Sequence, residues 1–253
     1  MGLGAKPPLA ATMIKTPSND HPMDTAWLER YSRQILLREV GGRGQQRLQQ
    51  ACVGVIGSNS MASPLLLYLA AAGVGHLVLA DSGVAKTTCA TLHALNPRIK
   101  TTAIATPRRL DRAIQSLRTW DLAVLTATDP TIRRRINRAA LHGGKTLLAG
   151  WQVGNGYGMT RAEAGHDPHA PCLRCAEQHC ATLPSSPGHP TLTQMAAGAI
   201  GCLLAMESIR FLLDTTQGIC YGALVLNPEE GRYDTVPVPK NPFCPACRGD
   251  QHG

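Results

Sequence analysis

Four cysteines stand as two C-x-x-C pairs, Cys172 with Cys175 and Cys244 with Cys247, and no other residues in the chain have a spacing so closely tied to one chemistry. Two thiolates three positions apart can hold one metal ion from a single turn. Two such pairs complete a tetrahedral site that ties the chain end to an internal loop. Four sulfurs leave no open position for water, so the pattern predicts a structural zinc that stabilises and does not catalyse. The alternative, four reduced thiols, is disfavoured by the doubled pair and its neighbouring prolines. His166, His169 and His179 lie near the first pair but read as loop histidines, because the tetrad is already complete. Cys52, Cys89, Cys202 and Cys220 sit in apolar settings as small core residues, and Cys180 reads as an inert loop thiol. Nine cysteines are an odd count in a chain too large to need disulfide staples, which predicts a reducing, cytoplasmic setting.

Other chemistry-bearing residues follow short apolar runs. Ala51 to Ile56 ends in Gly57, Gly75 to Ala80 ends in Asp81, and Asp121 to Thr126 leads to Asp129. These runs read as buried strands, and helical periodicity lies between them: 64–72, 87–95, 112–118 and 132–142. Asp129 therefore stands where a helix N-cap is also expected. Ahead of them, 24–50 reads as two short helices with a turn at Gly41, Gly42 and Gly44. Lys100 to Thr106 and Thr146 to Ala149 are further strands, and 150–158 is a glycine-rich stretch that could receive an extended peptide. The region from 165 to 190 reads as a crossover loop carrying the first cysteine pair. A long apolar helix over 192–213 and a closing hairpin, 221–227 with 232–238, complete the chain. This alternation predicts an α/β fold, a doubly wound, mainly parallel Rossmann-like sheet with helices on both faces.

The 253 residues suffice for one large core, with 1–23 expected as a disordered tail and 24–253 as the domain. Lys and Arg outnumber Asp and Glu by 25 to 17, but aromatics are only 4%, too few for stacking platforms. The runs Arg108-Arg109 and Arg133-Arg134-Arg135 read as solvated faces, so no nucleic-acid partner is expected. No run of about 18 apolar residues predicts a membrane span, and no signal peptide or myristoylation signal is evident. Trp120 and Trp151 read as core or site-wall residues.

Arg30-Tyr-Ser-Arg-Gln-Ile-Leu-Leu37, the turn from Val53 to Ser63, Ala72-Gly-Val-Gly75, Leu95-Asn-Pro97, Thr128-Asp129 and the cysteine pairs together resemble the ThiF/MoeB/HesA family, the bacterial relatives of ubiquitin-activating enzymes. The resemblance spans about 28–247. It implies a protein that adenylylates the C-terminal Gly-Gly carboxylate of a ubiquitin-like sulfur carrier with ATP and Mg²⁺. In that family Arg33 reaches a neighbouring subunit's nucleotide site, Asp129 lies on the Mg²⁺ side, Lys86 stands in for a phosphate-side lysine, and Gly57, Asn59 and Asp81 frame the nucleotide.

The sequence departs from the family pattern at several points. Gly57-Ser-Asn-Ser-Met-Ala62 keeps one glycine of the phosphate turn, and Ser82-Gly83 replaces acidic residues. A segment of roughly 20 residues carrying the family's arginine and asparagine is missing before Lys86, longer than a usual loop. A thiol at the family's catalytic-cysteine position, near Pro187, is lacking. The expected function is therefore binding of a ubiquitin-like carrier with impaired or lost adenylylation, as a homodimer or beside an intact homologue. The alternative is an active adenylyltransferase whose missing cations come from elsewhere. A Rossmann oxidoreductase is disfavoured, since its dinucleotide loop needs the absent glycines.

Overall fold

The computed structural model describes residues 24–81, 83, 85–163, 167, 169–183, 189–215 and 222–248. The expected tail 1–23, His166, Pro187 and Cys220 lie outside these residues.

Helices α1 (Thr25–Ile35) and α2 (Gly41–Gln50) precede the alternating part: β1 (Cys52–Ile56), α3 (Ala62–Ala72), β2 (His76–Ala80), α4 (Ala85–Leu95), β3 (Lys100–Ile104), α5 (Leu110–Arg118), β4 (Leu122–Leu125), α6 (Pro130–Gly143) and β5 (Leu147–Val153). Then come β6 (Gly156–Ala162), α7 (Leu173–Cys180), α8 (Pro190–Leu212), β7 (Gly222–Asn227) and β8 (Arg232–Pro237). The sheet order is β3-β2-β1-β4-β5-β6-β7-β8. The strands from β3 to β5 are parallel, and β6, β7 and β8 join antiparallel. Central strands are continuous apolar runs because helices cover both faces. One face packs under α3, α4 and α8 through Leu65, Leu69, Leu92, Ile200 and Leu204. The other packs under α5, α6 and α7 through Leu117, Ile136 and Leu173.

Short-range chemistry sets the helix ends. Asp24 caps α1 by accepting the Trp27 N–H at 2.8 Å, and Asp129 caps α6. Two of the family marks act as a latch: Asn96 Nδ2 donates to Tyr31 Oη at 2.8 Å and to the Ala70 carbonyl at 2.7 Å. Arg30 donates to the Leu95 carbonyl at 3.2 Å, so α1 is tied to the ends of α3 and α4.

Six sequence expectations are corrected. The turn glycines 41, 42 and 44 lie inside α2, with the turn before them. The glycine-rich 150–158 stretch is most of a hairpin, with Leu147 paired to Ala162 and Val153 to Gly156. Glycines permit this crowding, since strand β6 runs close against β7. The first cysteine pair sits at the start of helix α7, so the 165–190 region is not all loop, and Cys180 is the buried last residue of that helix. Arg133 is buried among carbonyl acceptors and a carboxylate and is no part of a solvated face. Cys202 is exposed, because α8 turns that side away from the sheet.

By length and composition α8 could cross a membrane. Here it is a core helix: Ile200 and Leu204 are buried, and its Glu207 pairs with Arg161 of β6 at 3.0 Å.

Candidate functional site

The C-terminal ends of β1, β2 and β4 meet at one edge of the sheet, where the strand order reverses about β1. Open α/β sheets bind ligands in the crevice at such a point. Gly57 leaves β1 with φ +112°, and a Cβ there would come within 2.5 Å of the Ala127 nitrogen, so glycine is required. Asp81 ends β2 and accepts the Gly83 N–H at 3.0 Å. Asp129 follows β4 and accepts from the Thr131 N–H at 2.6 Å and the Ile132 N–H at 3.1 Å. The Ile132 and then the Thr131 N–H hold its carboxyl below the usual aspartate range. The cap expected at Asp129 is thus in place.

The crevice itself is narrow. Gly57, Ala62, Ser63, Asp81, Ala85 and Thr88 enclose a cavity of only about 50 Å³. Small-molecule sites commonly enclose roughly 300–1,000 Å³. Residues 81–84 are the whole connection from β2 to α4, so α4 begins directly beside the cleft. Asn59 precedes α3 and lies outside the cavity lining, but it takes the N–H groups at the start of that helix. Its Oδ1 accepts the Met61 and Ala62 N–H groups at 3.2 and 3.3 Å, and its Nδ2 donates to the Thr126 carbonyl at the end of β4. N–H groups at a helix start are those a phosphate would take. The asparagine amide occupies them. Lys86 is exposed in the first turn of α4 and does not line the cavity, although its neighbours Ala85 and Thr88 do. Arg33 is exposed near the end of α1 and is likewise absent from the lining of this chain's own cleft.

The four cysteines converge as the spacing predicts. Cys172 Sγ lies 3.9 Å from Cys175 Sγ and 3.7 Å from Cys244 Sγ, and Cys175 Sγ lies 3.6 Å from Cys247 Sγ. All four ligand atoms fall within 4.8 Å of one another. A tetrahedral ion with metal–sulfur bonds near 2.3 Å needs sulfur–sulfur edges of about 3.8 Å, so the donor set fits zinc. The sulfur of Cys175 is pushed toward thiolate, chiefly by the hydrogen bond from Cys172, while that bond and burial raise Cys172. Asn137 of α6 steadies the knuckle, donating to Cys172 Sγ at 3.5 Å and accepting the Leu173 N–H at 3.2 Å. Such outer partners orient metal ligands.

No other thiol is poised for nucleophilic chemistry among the described residues with a shifted pKa. Burial raises Cys180 to about 11, and burial, with Asp121 nearby, raises Cys52 to about 12. Sequence reasoning missed Arg133 and Asn137. Both lie on α6 four residues apart, and that i, i+4 polar pair on the inner face of an otherwise apolar stripe was the available signal. Arg133 Nη1 donates to the carbonyls of Ala127 and Gly150 at 2.8 and 2.9 Å, pinning the ends of β4 and β5, while Nε pairs with Glu177 of α7.

Comparison with known proteins agrees with this architecture. The family described as ThiF family matches residues 31–88 and 82–246. A sulfur carrier protein adenylyltransferase of Thermus thermophilus is 30% identical, covering 88% of this chain and 92% of its own. A SAMP-activating enzyme E1 of Haloferax volcanii is 28% identical over 89% and 90%. Among solved structures, E. coli MccB has a TM-score of 0.69 at 16% identity, covering 86% of this chain and 74% of that one, which speaks for the fold.

Proposed function

The chain belongs to the ThiF family, and on that footing we propose that it acts on the C-terminal tail of a ubiquitin-like sulfur-carrier protein by adenylyl transfer. The observation that supports this reading is the placement of Gly57, Asp81 and Asp129 at one edge of the sheet, at the ends of β1, β2 and β4. Kinship weighs on the same side, since the relatives matching over nearly their whole length are named as adenylyltransferase and activating enzyme.

In the step proposed, a carboxylate oxygen of the carrier's last residue attacks the α-phosphorus of ATP. The bond from that phosphorus to the β-bridging oxygen breaks, and pyrophosphate leaves with the electron pair. Asp129 and Asp81 are the oxygen donors at this edge that would hold Mg²⁺, which when bound neutralises charge on the departing pyrophosphate. The helix start of α3 would take phosphate oxygens once Asn59 swings away. Opening the cavity costs free energy, so ATP alone binds weakly. Arg33, presented by a neighbouring subunit of the same chain or of an intact homologue, is proposed as the missing cation. The zinc site ties the C-terminal segment to α7 and takes no part in the chemistry.

A second reading is a docking subunit that binds the carrier without transferring AMP. The cavity of about 50 Å³ and the filled phosphate position favour it. ATP–pyrophosphate exchange separates the two. Exchange that appears on adding a carrier with a free Gly-Gly terminus supports transfer. Carrier binding without exchange supports docking, and absence of carrier binding sinks both.

A further inference from the structure

The layer formed by α5 and α6 carries an unbalanced charge. Residues 108–138 hold eight arginines and no lysine, and their acids are three aspartates. Each aspartate is already engaged: Asp111 pairs with Arg109 at 3.2 Å, Asp121 accepts the Cys52 N–H at 2.8 Å, and Asp129 caps α6. Of the arginines, Arg133 is buried and Arg135 donates to the Pro107 carbonyl at 3.1 Å. Arg108, Arg112, Arg118 and Arg138 are exposed, and among the described residues none of the four makes an ion pair. The two helices pack side by side on one face of the sheet. Each returns the chain from the end of one parallel strand to the start of another, so they run in the same direction. Arg118, the last residue of α5, and Arg138, in the second half of α6, therefore lie away from the edge that holds Gly57, Asp81 and Asp129.

At two places these charges work against the fold. Arg112 stands in the first turn of α5, where the helix dipole disfavours a cation, and Arg134 and Arg138 repel one another a helical turn apart. A basic face without acids of its own complements carboxylates on another molecule. We propose that the α5–α6 layer is a docking surface for an acidic protein, held through its surface carboxylates and not through a Gly-Gly tail. Three observations favour a protein over a nucleic acid. The cations are arginines throughout, the residue enriched at protein interfaces where lysine is depleted, and each guanidinium fork can take both oxygens of a carboxylate. Neither helix carries a Phe, Tyr or Trp ring on which a base could stack. Leu110, Ile114, Ile132 and Leu141 are only partly buried on the same helices, and they offer an apolar contact that a sugar–phosphate backbone does not return. The surface is independent of adenylyl transfer at the nucleotide-side edge.

The test is fluorescence anisotropy, with the zinc-loaded full chain titrated into a labelled glutamate-rich peptide and, separately, into an oligonucleotide duplex of equal net charge. The peptide is expected to bind with an affinity that falls as salt rises. Arg118→Gln/Arg138→Gln is expected to weaken that binding about tenfold. Arg38→Gln/Arg43→Gln removes an equal charge from the exposed α1–α2 side and is expected to weaken it by no more than about twofold. All four side chains are exposed, so melting temperatures near wild type verify the folds; Arg112→Gln/Arg138→Gln is the substitute should the first variant lose stability. The proposal is overturned when the peptide does not bind, or when the two double variants weaken binding alike. It is also overturned when the duplex binds more tightly than the peptide at the same salt, which would assign the face to nucleic acid.

Discussion

Asn59 is the residue on which the nucleotide question turns, because one side chain does at the start of α3 what a phosphate would do there. Asn59→Ala removes that stand-in and is expected to destabilise the fold by about 1 kcal/mol, the loss typical when alanine replaces a capping asparagine, while raising ATP affinity several-fold. Denaturant unfolding and calorimetry read the two effects, and a variant that binds ATP no better than wild type would show that Asn59 does not block the site. Asp129 calls for the opposite design. Asparagine also caps helices, so Asp129→Asn should keep the melting temperature near wild type at neutral pH while cutting carrier-dependent exchange about 100-fold. Because its N–H partners depress the folded pKa, the stability Asp129 contributes is present above the ordinary aspartate value near 3.9 and is lost as pH falls through the lower folded value. A stability profile of the wild type and of Asp129→Asn between about pH 5 and 2 measures it, the wild type falling below the variant toward the acid end as Asp129 takes up its proton. The capping role of Asp129 was legible in the sequence, from an aspartate directly before a helix that opens on proline. The burial of Arg133 went unread, because the run of three arginines drew attention away from its i, i+4 spacing to Asn137 and the buried stripe of Ile136 and Ala140 on the same side of α6.

At the scale of elements, the strands and helices from β1 to α6 were legible to within about two residues: central strands of a covered sheet are continuous apolar runs, and Gly73 and Gly144 end their helices with positive φ. The β5–β6 hairpin and α7 were not. Glycines that look like loop in one dimension allow strands to crowd in three, since a Cβ at Gly156 would lie 2.1 Å from the Leu226 carbonyl oxygen of β7. Helix α7 is short and is held by the metal knuckle and by its contacts to α6 more than by its own pattern. Stripping zinc with a chelator should therefore release α7 and the C-terminal segment together, lowering the melting temperature by roughly 10 °C. An unchanged transition in demetallated protein would contradict the structural role. Asn137→Ala should weaken zinc affinity by about 10- to 100-fold in a competition titration, because Cys172 loses its outer partner, while the sheet stays intact.

At the scale of the molecule, the ThiF family matches residues 31–88 and 82–246, and at one corner of the nucleotide-side edge β2 runs into α4 through residues 81–84. The shortness of the β2–α4 connection was legible as a length, but the size of the cleft, about 50 Å³, depends on how α4 packs back and was not. A preserved scaffold with a closed nucleotide corner predicts a chain that meets its carrier first and nucleotide second. ATP–pyrophosphate exchange, run with the zinc-loaded chain alone and then with a ubiquitin-like carrier bearing a free Gly-Gly terminus, tests this most directly. The account predicts no exchange without carrier and slow exchange with it; a carrier that binds and yet gives no exchange would contradict adenylyl transfer and leave a docking subunit in its place.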